Sequence, residues 1–149
     1  MRAVVQRVGS ARISVAGEEV SSQGRGLLAL VGVAAGDRSE DAQWLAAKLV
    51  HLRVFPDAAG AMNQSLLETA GTLAVVSQFT LLGDARRGRR PSFSAAAAPE
   101  QAAPLIDAVV RAARAEGVRV VTGRFQAHMQ VELVNDGPVT LLLDSERLF

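Results

Sequence analysis

Apolar and polar residues alternate with period two at the start of the chain. Ala3, Val5 and Arg7 fall on one face and Val4, Gln6 and Val8 on the other. That period is a β-strand's, because successive side chains point to opposite sides of the backbone. Gly9-Ser10 predicts a break. Ile13 and Val15 then alternate with Arg12 and Ser14, Gly17 ends this second strand, and Val20 opens a short third. Gly24-Arg25-Gly26 reads as a turn. Leu27 to Val33 is almost continuously apolar, as in a strand buried on both faces.

The period then changes to that of a helix. Ala42, Leu45, Ala46 and Leu49 form an apolar stripe, with Asp37 or Ser39 as the expected N-cap and Glu40 and Asp41 in the first turn. Leu52 to Phe55 predicts a short strand, stopped by Pro56-Asp57 and followed by a loop holding Met62 and Asn63. Thr72 to Phe79 predicts another. Residues 80–98 look irregular, and so long a stretch inside a compact domain points to function or disorder. A second helix is expected over Pro99 to Glu116, with Pro104 near its first turn and Gly117 after its end. Strands follow at Val118–Val121, Ala127–Leu133 and Val139–Leu143. Between the last two lies Asn135-Asp136-Gly137-Pro138-Val139-Thr140. Proline gives no ladder hydrogen bond, so Gly137-Pro138 is either a tight turn or a backbone site with carbonyls aimed at a ligand.

Composition narrows the class. With 149 residues, 49% hydrophobic and 21% charged, the chain is long enough for one domain (1–149) with a real core. No internal repeat, linker or second domain is visible. The apolar runs are far too short for a bilayer and no export signal opens the chain, so a cytoplasmic protein without membrane contact is expected. Asn63-Gln64-Ser65 matches a glycosylation sequon, which without export is chance. Lacking cysteine, the chain has neither disulfides nor thiolate chemistry. The net charge of +1 gives little global pull toward nucleic acid, but Arg86, Arg87, Arg89 and Arg90 crowd one loop beside Phe93. Arginine's planar fork suits phosphate, so the cluster reads either as an RNA or DNA contact or as a solvated loop.

Catalytic chemistry is sparse. His51 and His128 are far apart in sequence and no metal-ligand spacing exists, so no metal or other cofactor is expected. His51 reads as a residue at a helix end, and His128 as solvated on a polar strand face. Ser77-Gln78-Phe79-Thr80 places polar groups at the end of a core strand beside the arginine loop. Such a place suits backbone N–H groups for an oxyanion, and Thr80 is a nucleophile only if a base lies near. An ordinary strand end is the competing reading. Arg7 shares an apolar face and needs buried partners, unless that face is wet. Met129 on its apolar strand face reads as packing.

Together these segments resemble the D-aminoacyl-tRNA deacylase family over the full length. The resemblance runs from Met1-Arg2-Ala3-Val4-Val5-Gln6-Arg7-Val8 through Gly26-Leu27-Leu28, Arg53-Val54-Phe55 and Met62-Asn63. It centres on Val75-Val76-Ser77-Gln78-Phe79-Thr80-Leu81 and Arg89-Arg90-Pro91-Ser92-Phe93-Ser94. It continues through Thr122-Gly123-Arg124-Phe125 and Met129-Gln130-Val131, and ends on Asn135-Asp136-Gly137-Pro138-Val139-Thr140. The resemblance implies an α+β fold, a barrel-like mixed or mostly antiparallel sheet flanked by two main helices, acting as a homodimer with sites at its interface. The implied reaction is hydrolysis of the ester joining a D-amino acid, or mischarged glycine, to the 3′ end of tRNA.

Gly137 and Pro138, joined by a cis bond, would enter the partner's pocket, and Arg7 would brace them. Ser77, Gln78 and Phe79 would frame the terminal adenosine, with Met129 lining the pocket. Backbone N–H groups of Phe79 and Thr80 would hold the oxyanion, and Arg86, Arg87, Arg89 and Arg90 would meet tRNA. Gln126 and His128 depart from the family pattern beside Met129. The competing class is an RNA-binding dimer module without catalysis.

Overall fold

The computed structural model describes residues 1–149. One long strand, β1 (Arg2–Val15), organises the sheet. Ala16 and Gly17 follow it with φ of 51° and 83°, the left-handed pair that a tight hairpin requires. The returning chain forms β2 (Glu18–Gln23) and β3 (Gly26–Gly32). Both pair antiparallel with β1, β2 along Ala11–Val15 and β3 along Arg2–Val8. They act as one bent partner strand, and the bend at Gly24-Arg25 lies opposite Gly9-Ser10. The expected break at Gly9-Ser10 does not end β1: the partner bends there, and β1 itself bulges by one residue, Gly9, against the last strand of the chain.

Helix α1 (Ser39–His51) comes next, then a small two-stranded ribbon of β4 (Phe55–Pro56) and β5 (Met62–Gln64). After these come β6 (Thr72–Ser77), helix α2 (Pro99–Ala115), β7 (Arg119–Thr122) and β8 (Met129–Asp144). Strands β3, β6 and β7 run parallel, which demands the crossovers that carry α1 and α2. On the other side of β1, β8 pairs antiparallel from Arg2–Asp144 to Val15–Met129. Ser21 Oγ donates to the Thr122 carbonyl at 2.8 Å and links β2 to β7, so the sheet nearly closes into a barrel.

The two faces of the sheet bury two cores. Outside the barrel, Ala3, Val5, Leu27 and Leu73 pack with Leu45 and Leu49 of α1 and Val109 of α2. Inside it, Val8, Ala11, Leu28 and Ala74 meet partly buried Val121 and Val131. Leu27–Val31 is apolar throughout because both faces are covered.

Several local expectations change. The N-cap of α1 is Arg38, whose N–H donates to Asp41 Oδ2 at 2.8 Å. Asp37 is buried instead, and it accepts the Met1 amine and the Ala34 N–H, each at 2.6 Å. The Ser145 hydroxyl and the Arg38 N–H hold the Asp41 carboxyl below its ordinary range. The strand expected at Leu52–Phe55 is confined to Phe55–Pro56, and the Met62-Asn63 loop is its partner strand. Helix α2 continues through Pro104, and Gly117 takes φ 93° after its end. Residues 80–98 are not structureless. They contain a 3-10 turn and two isolated strand bridges, Ala34–Ala96 and Asp84–Ser92. Strand β8 begins at Met129, not Ala127, and runs without interruption through the Gly-Pro segment.

Gly26 marks where β3 and β6 come closest. A Cβ there would lie 1.9 Å from the Thr72 carbonyl oxygen, a backbone atom that cannot swing aside. Gly26→Ala is expected to destabilise the fold by about 3 kcal/mol through forced overpacking. Gly24→Ala, two residues away in open space, should change it by less than about 0.5 kcal/mol. Chemical denaturation of both variants checks this. Equal midpoints would rule out the close strand approach.

Candidate active site

The site begins where β6 ends. The Gln78 N–H donates to the Val31 carbonyl at 2.7 Å, extending the β3–β6 ladder one step beyond Ser77. The backbone then turns sharply, with Gln78 at φ −147° and ψ 80°, into a 3-10 turn over Phe79–Leu82. Leu81 donates to the Gln78 carbonyl and Gly83 to that of Thr80. The first N–H groups of a helical turn have no partner within it, and neither the Phe79 nor the Thr80 N–H is bonded elsewhere in the chain. Two adjacent donors are thus left at the rim of a cavity.

That cavity measures about 630 Å³. Ser77, Gln78, Phe79, Phe93, Phe125 and Met129 line it, and Gln126 and His128 complete the wall. Met129 fits because Gly123 faces it: a Cβ on Gly123 would lie 2.5 Å from the Met129 sulfur. Phe79 is 58% exposed and meets Phe93 edge to face, ring centroids 5.1 Å apart at 70°. The Thr80 hydroxyl accepts a hydrogen bond from the Gln78 amide. No carboxylate or imidazole is bonded to Thr80, so nothing is placed to take its proton.

The Gly-Pro segment lies elsewhere. Gln6 pairs with Thr140 and Val8 with Asn135, so the four residues 136–139 of β8 stand opposite Arg7 alone. The extra residues bulge out, leaving Gly137 and Pro138 exposed and joined by a cis peptide. Arg7 Nε donates to the Asp136 carbonyl at 2.9 Å, and Arg7 Nη1 donates to the Val54 carbonyl at 2.6 Å. The brace therefore reaches the residue before the pair. Asn135 pins the far side. Its Oδ1 accepts the Val139 N–H at 2.8 Å, and its Nδ2 donates to Gln6 Oε1 and Thr140 Oγ1, each at 3.0 Å. No side-chain donor of the chain reaches the Gly137 or Pro138 carbonyl. Gly137 has φ 142°, and a Cβ there would come within 2.7 Å of Val139 Cγ2 and 3.2 Å of Arg7 Nη2. Met129 opens β8 and Gly137 lies midway along it, roughly 26 Å further on at about 3.3 Å per residue. Within one chain the two parts do not meet.

The arginine loop is closed at its base. Asp84 and Ser92 exchange backbone hydrogen bonds of 2.7 and 2.9 Å. Asp84 grips Arg86 with both oxygens, at 2.9 and 2.6 Å, and accepts its N–H at 3.0 Å. These bonds hold the Asp84 carboxyl far below the usual carboxylate range and raise Arg86. Arg87, Arg89 and Arg90 are exposed and make no ion pair. No group of three His, Cys, Asp or Glu is gathered to hold a metal. His51 ends α1 and lies 3.4 Å from Glu116.

Of the residues singled out from sequence, Ser77, Gln78, Phe79 and Met129 line one cavity, with Thr80 beside it. Arg7, Gly137 and Pro138 form a separate exposed bulge. Composition and periodicity miss Phe93, Phe125, Gln126 and His128 as cavity residues. Phe125 lies in a tight loop where Gln126 takes φ 60°, a conformation that no hydropathy pattern signals.

Comparison with known proteins accords with this geometry. The family model described as D-Tyr-tRNA(Tyr) deacylase matches residues 4–144. The D-aminoacyl-tRNA deacylase of Anaeromyxobacter dehalogenans is 60% identical, each chain covered in full. That of Symbiobacterium thermophilum is 56% identical, covering 100% of this chain and 99% of its own. A solved structure described as c-Myc DNA Unwinding Element Binding Protein superposes with a TM-score of 0.90 at 36% identity, covering 97% of this chain and 98% of its own. A second, of a probable eukaryotic D-amino acid tRNA deacylase, has a TM-score of 0.84 at 20% identity over 95% and 97%, and shows the fold alone. With a family model spanning nearly its whole length and relatives this similar end to end, the chain belongs to the D-Tyr-tRNA(Tyr) deacylase family.

Proposed function

We propose that this protein hydrolyses the ester of D-aminoacyl-tRNA, and of glycine mischarged on tRNA, at a site completed by a second copy of the chain. The enzyme is a D-aminoacyl-tRNA deacylase, a hydrolase, and its substrate places it in the cytoplasm. One observation carries the two-chain reading. Gly137-Pro138 is braced by Arg7 and Asn135, yet it is exposed and lies roughly 26 Å along β8 from Met129, which lines its own chain's cavity. A braced bulge is suited to entering a partner's cavity.

The terminal adenosine sits among Ser77, Gln78, Phe79 and Met129. The Gly137 and Pro138 carbonyls of the other copy accept hydrogen bonds from the substrate's α-ammonium. Once that group and the ester are both held, the configuration at Cα decides where the side chain points. An L side chain is driven into the Gly-Pro backbone, whereas a D side chain, or none, points away. Water adds to the ester carbonyl carbon, and the developing oxyanion is met by the Phe79 and Thr80 N–H groups. The C–O bond then breaks, and the 3′ oxygen leaves as the tRNA hydroxyl, taking the proton that water gave up. The tRNA's own 2′-hydroxyl is the nearest group to relay that proton. The Thr80 side chain carries no chemistry, since its hydroxyl has no base.

Phosphate contact falls to Arg87, Arg89 and Arg90. Arg86 is neutralised by Asp84, which takes two of its five side-chain donors as a bidentate pair. Its part is to shape the loop.

Matched D- and L-aminoacyl-tRNA separate the readings: release from the D form alone is expected. Tight binding without release would instead favour an RNA-binding module. Gly137→Ala should lower kcat/KM for the D substrate about 100-fold by displacing the carbonyls. Mixed with Gln78→Trp, which fills the cavity, it should recover about a quarter of wild-type activity by random assortment into two-fold dimers. No recovery would mean that each chain builds its own site. Thr80→Ala should lower kcat less than about tenfold. Near-complete loss, with folding and tRNA binding intact, would restore Thr80 as nucleophile.

A salt titration of binding to a non-hydrolysable, amide-linked aminoacyl-tRNA tests the loop. Arg89→Gln should flatten the slope of log K against log salt by about 0.7, and Arg86→Gln should leave it nearly unchanged.

A further inference from the structure

Five phenylalanines occur in the chain. Phe55 is in the core and Phe149 is the last residue. The other three, Phe79, Phe93 and Phe125, all line the one cavity and are 58%, 36% and 36% exposed. Single exposed aromatic residues need no explanation, but three around one opening form a patch that does. Exposed aromatic rings beside a cationic loop are the elements with which proteins hold single-stranded nucleic acid. Bases stack on the rings, and arginines follow the phosphates.

Phe93 is the ring that joins the two features. It lies one residue beyond Ser92, which closes the arginine loop onto Asp84. The ring rests against the 3-10 turn at Gly83, where a Cβ would lie 2.9 Å from Phe93 Cε1. Its edge-to-face contact with Phe79 holds it from a second side. Both contacts orient the ring before any ligand arrives, which lowers the entropy lost on binding. An edge-to-face pair uses only one of the four ring faces, so flat surface remains for a base. Arg89 and Arg90, exposed and unpaired, are four and three residues before Phe93 and supply the positive charge that a phosphodiester next to such a base needs.

We propose that Phe93, oriented by Phe79 and Gly83, is a second nucleotide subsite, stacking the base that precedes the terminal adenosine, with its phosphate facing Arg89 and Arg90. This rests on the reading of the cavity as the seat of the terminal adenosine. Stacking is indifferent to base identity, so the subsite measures the presence of a preceding nucleotide, not its sequence. It would let the enzyme distinguish an aminoacylated RNA end from a free aminoacyl nucleoside.

The test compares two small substrates carrying the same D-aminoacyl ester, one on adenosine and one on cytidylyl-adenosine. For the wild-type protein, KM should be about tenfold lower for the dinucleotide. Phe93→Ala should bring that ratio close to one, and Phe93→Leu should do the same while keeping apolar volume against Gly83. Phe93→Tyr, which keeps the flat ring, should retain it. Equal KM values in the wild-type protein, or a ratio that survives Phe93→Leu, would overturn the subsite while leaving the deacylase reading intact. Failure to hydrolyse either substrate, with D-aminoacyl-tRNA also left uncleaved, would overturn the reading of the cavity and the subsite with it.

Discussion

The site depends on one guanidinium in an apolar setting. Arg7 belongs to the face of β1 that carries Ala3 and Val5 into the outer core, and its side chain is only 11% exposed. A charge there needs hydrogen-bond partners. Arg7 meets that demand with two backbone carbonyls, Val54 ahead of the small ribbon and Asp136 at the start of the bulge. Charge-assisted bonds of this kind are worth about 1.5–3 kcal/mol each, and losing them would leave desolvated groups behind. The Asp136 carboxylate, 3.5 Å away and half exposed, adds little beside them. One residue thus couples α1's exit, the central strand and the Gly-Pro bulge.

The other half of the site follows a similar economy of side chains. The parallel ladder of β3 and β6 ends at Ser77, and the chain must turn. A 3-10 turn begins there and leaves two N–H groups unpaired, so the proposed oxyanion donors would arise from the geometry of a strand end and need no acidic or basic residue. Small residues then let larger groups approach. Gly83 admits Phe93, Gly123 admits Met129, and Gly26 admits the Thr72 backbone. In the proposed mechanism carbonyls select, N–H groups stabilise charge, and apolar side chains shape the space. This is why no catalytic side chain stands out in the composition.

The elements were legible where burial was regular. The alternation of β1, the unbroken apolar run of β3 and the stripes of both helices all follow from period and composition. Boundaries were less so where partners decide them. Gly9-Ser10 looks like a break because glycine usually interrupts a strand, yet pairing with β8 on one side and a bent partner on the other carries β1 through. Met62 and Asn63 look like a loop because their strand faces only two residues. Arg86 looks equal to its neighbours until Asp84 is seen to occupy it. His128 reads as solvated and is exposed, but it lies in the loop before β8, not on a strand face, and that loop also places it at the wall of the cavity.

By itself the sequence determined the α+β elements, the apolar faces that form the two cores, and the short segments that mark the family. These depend on local period and on residue identity, both of which a linear chain carries. Tertiary structure alone decided that Ser77 and Met129 share a cavity and that Gly137-Pro138 stands apart from it. Those relations depend on strand register: four residues of β8 are set against Arg7 only because Gln6 pairs with Thr140 and Val8 with Asn135. Register between segments more than a hundred residues apart is settled by packing across the whole sheet, and no local pattern encodes it.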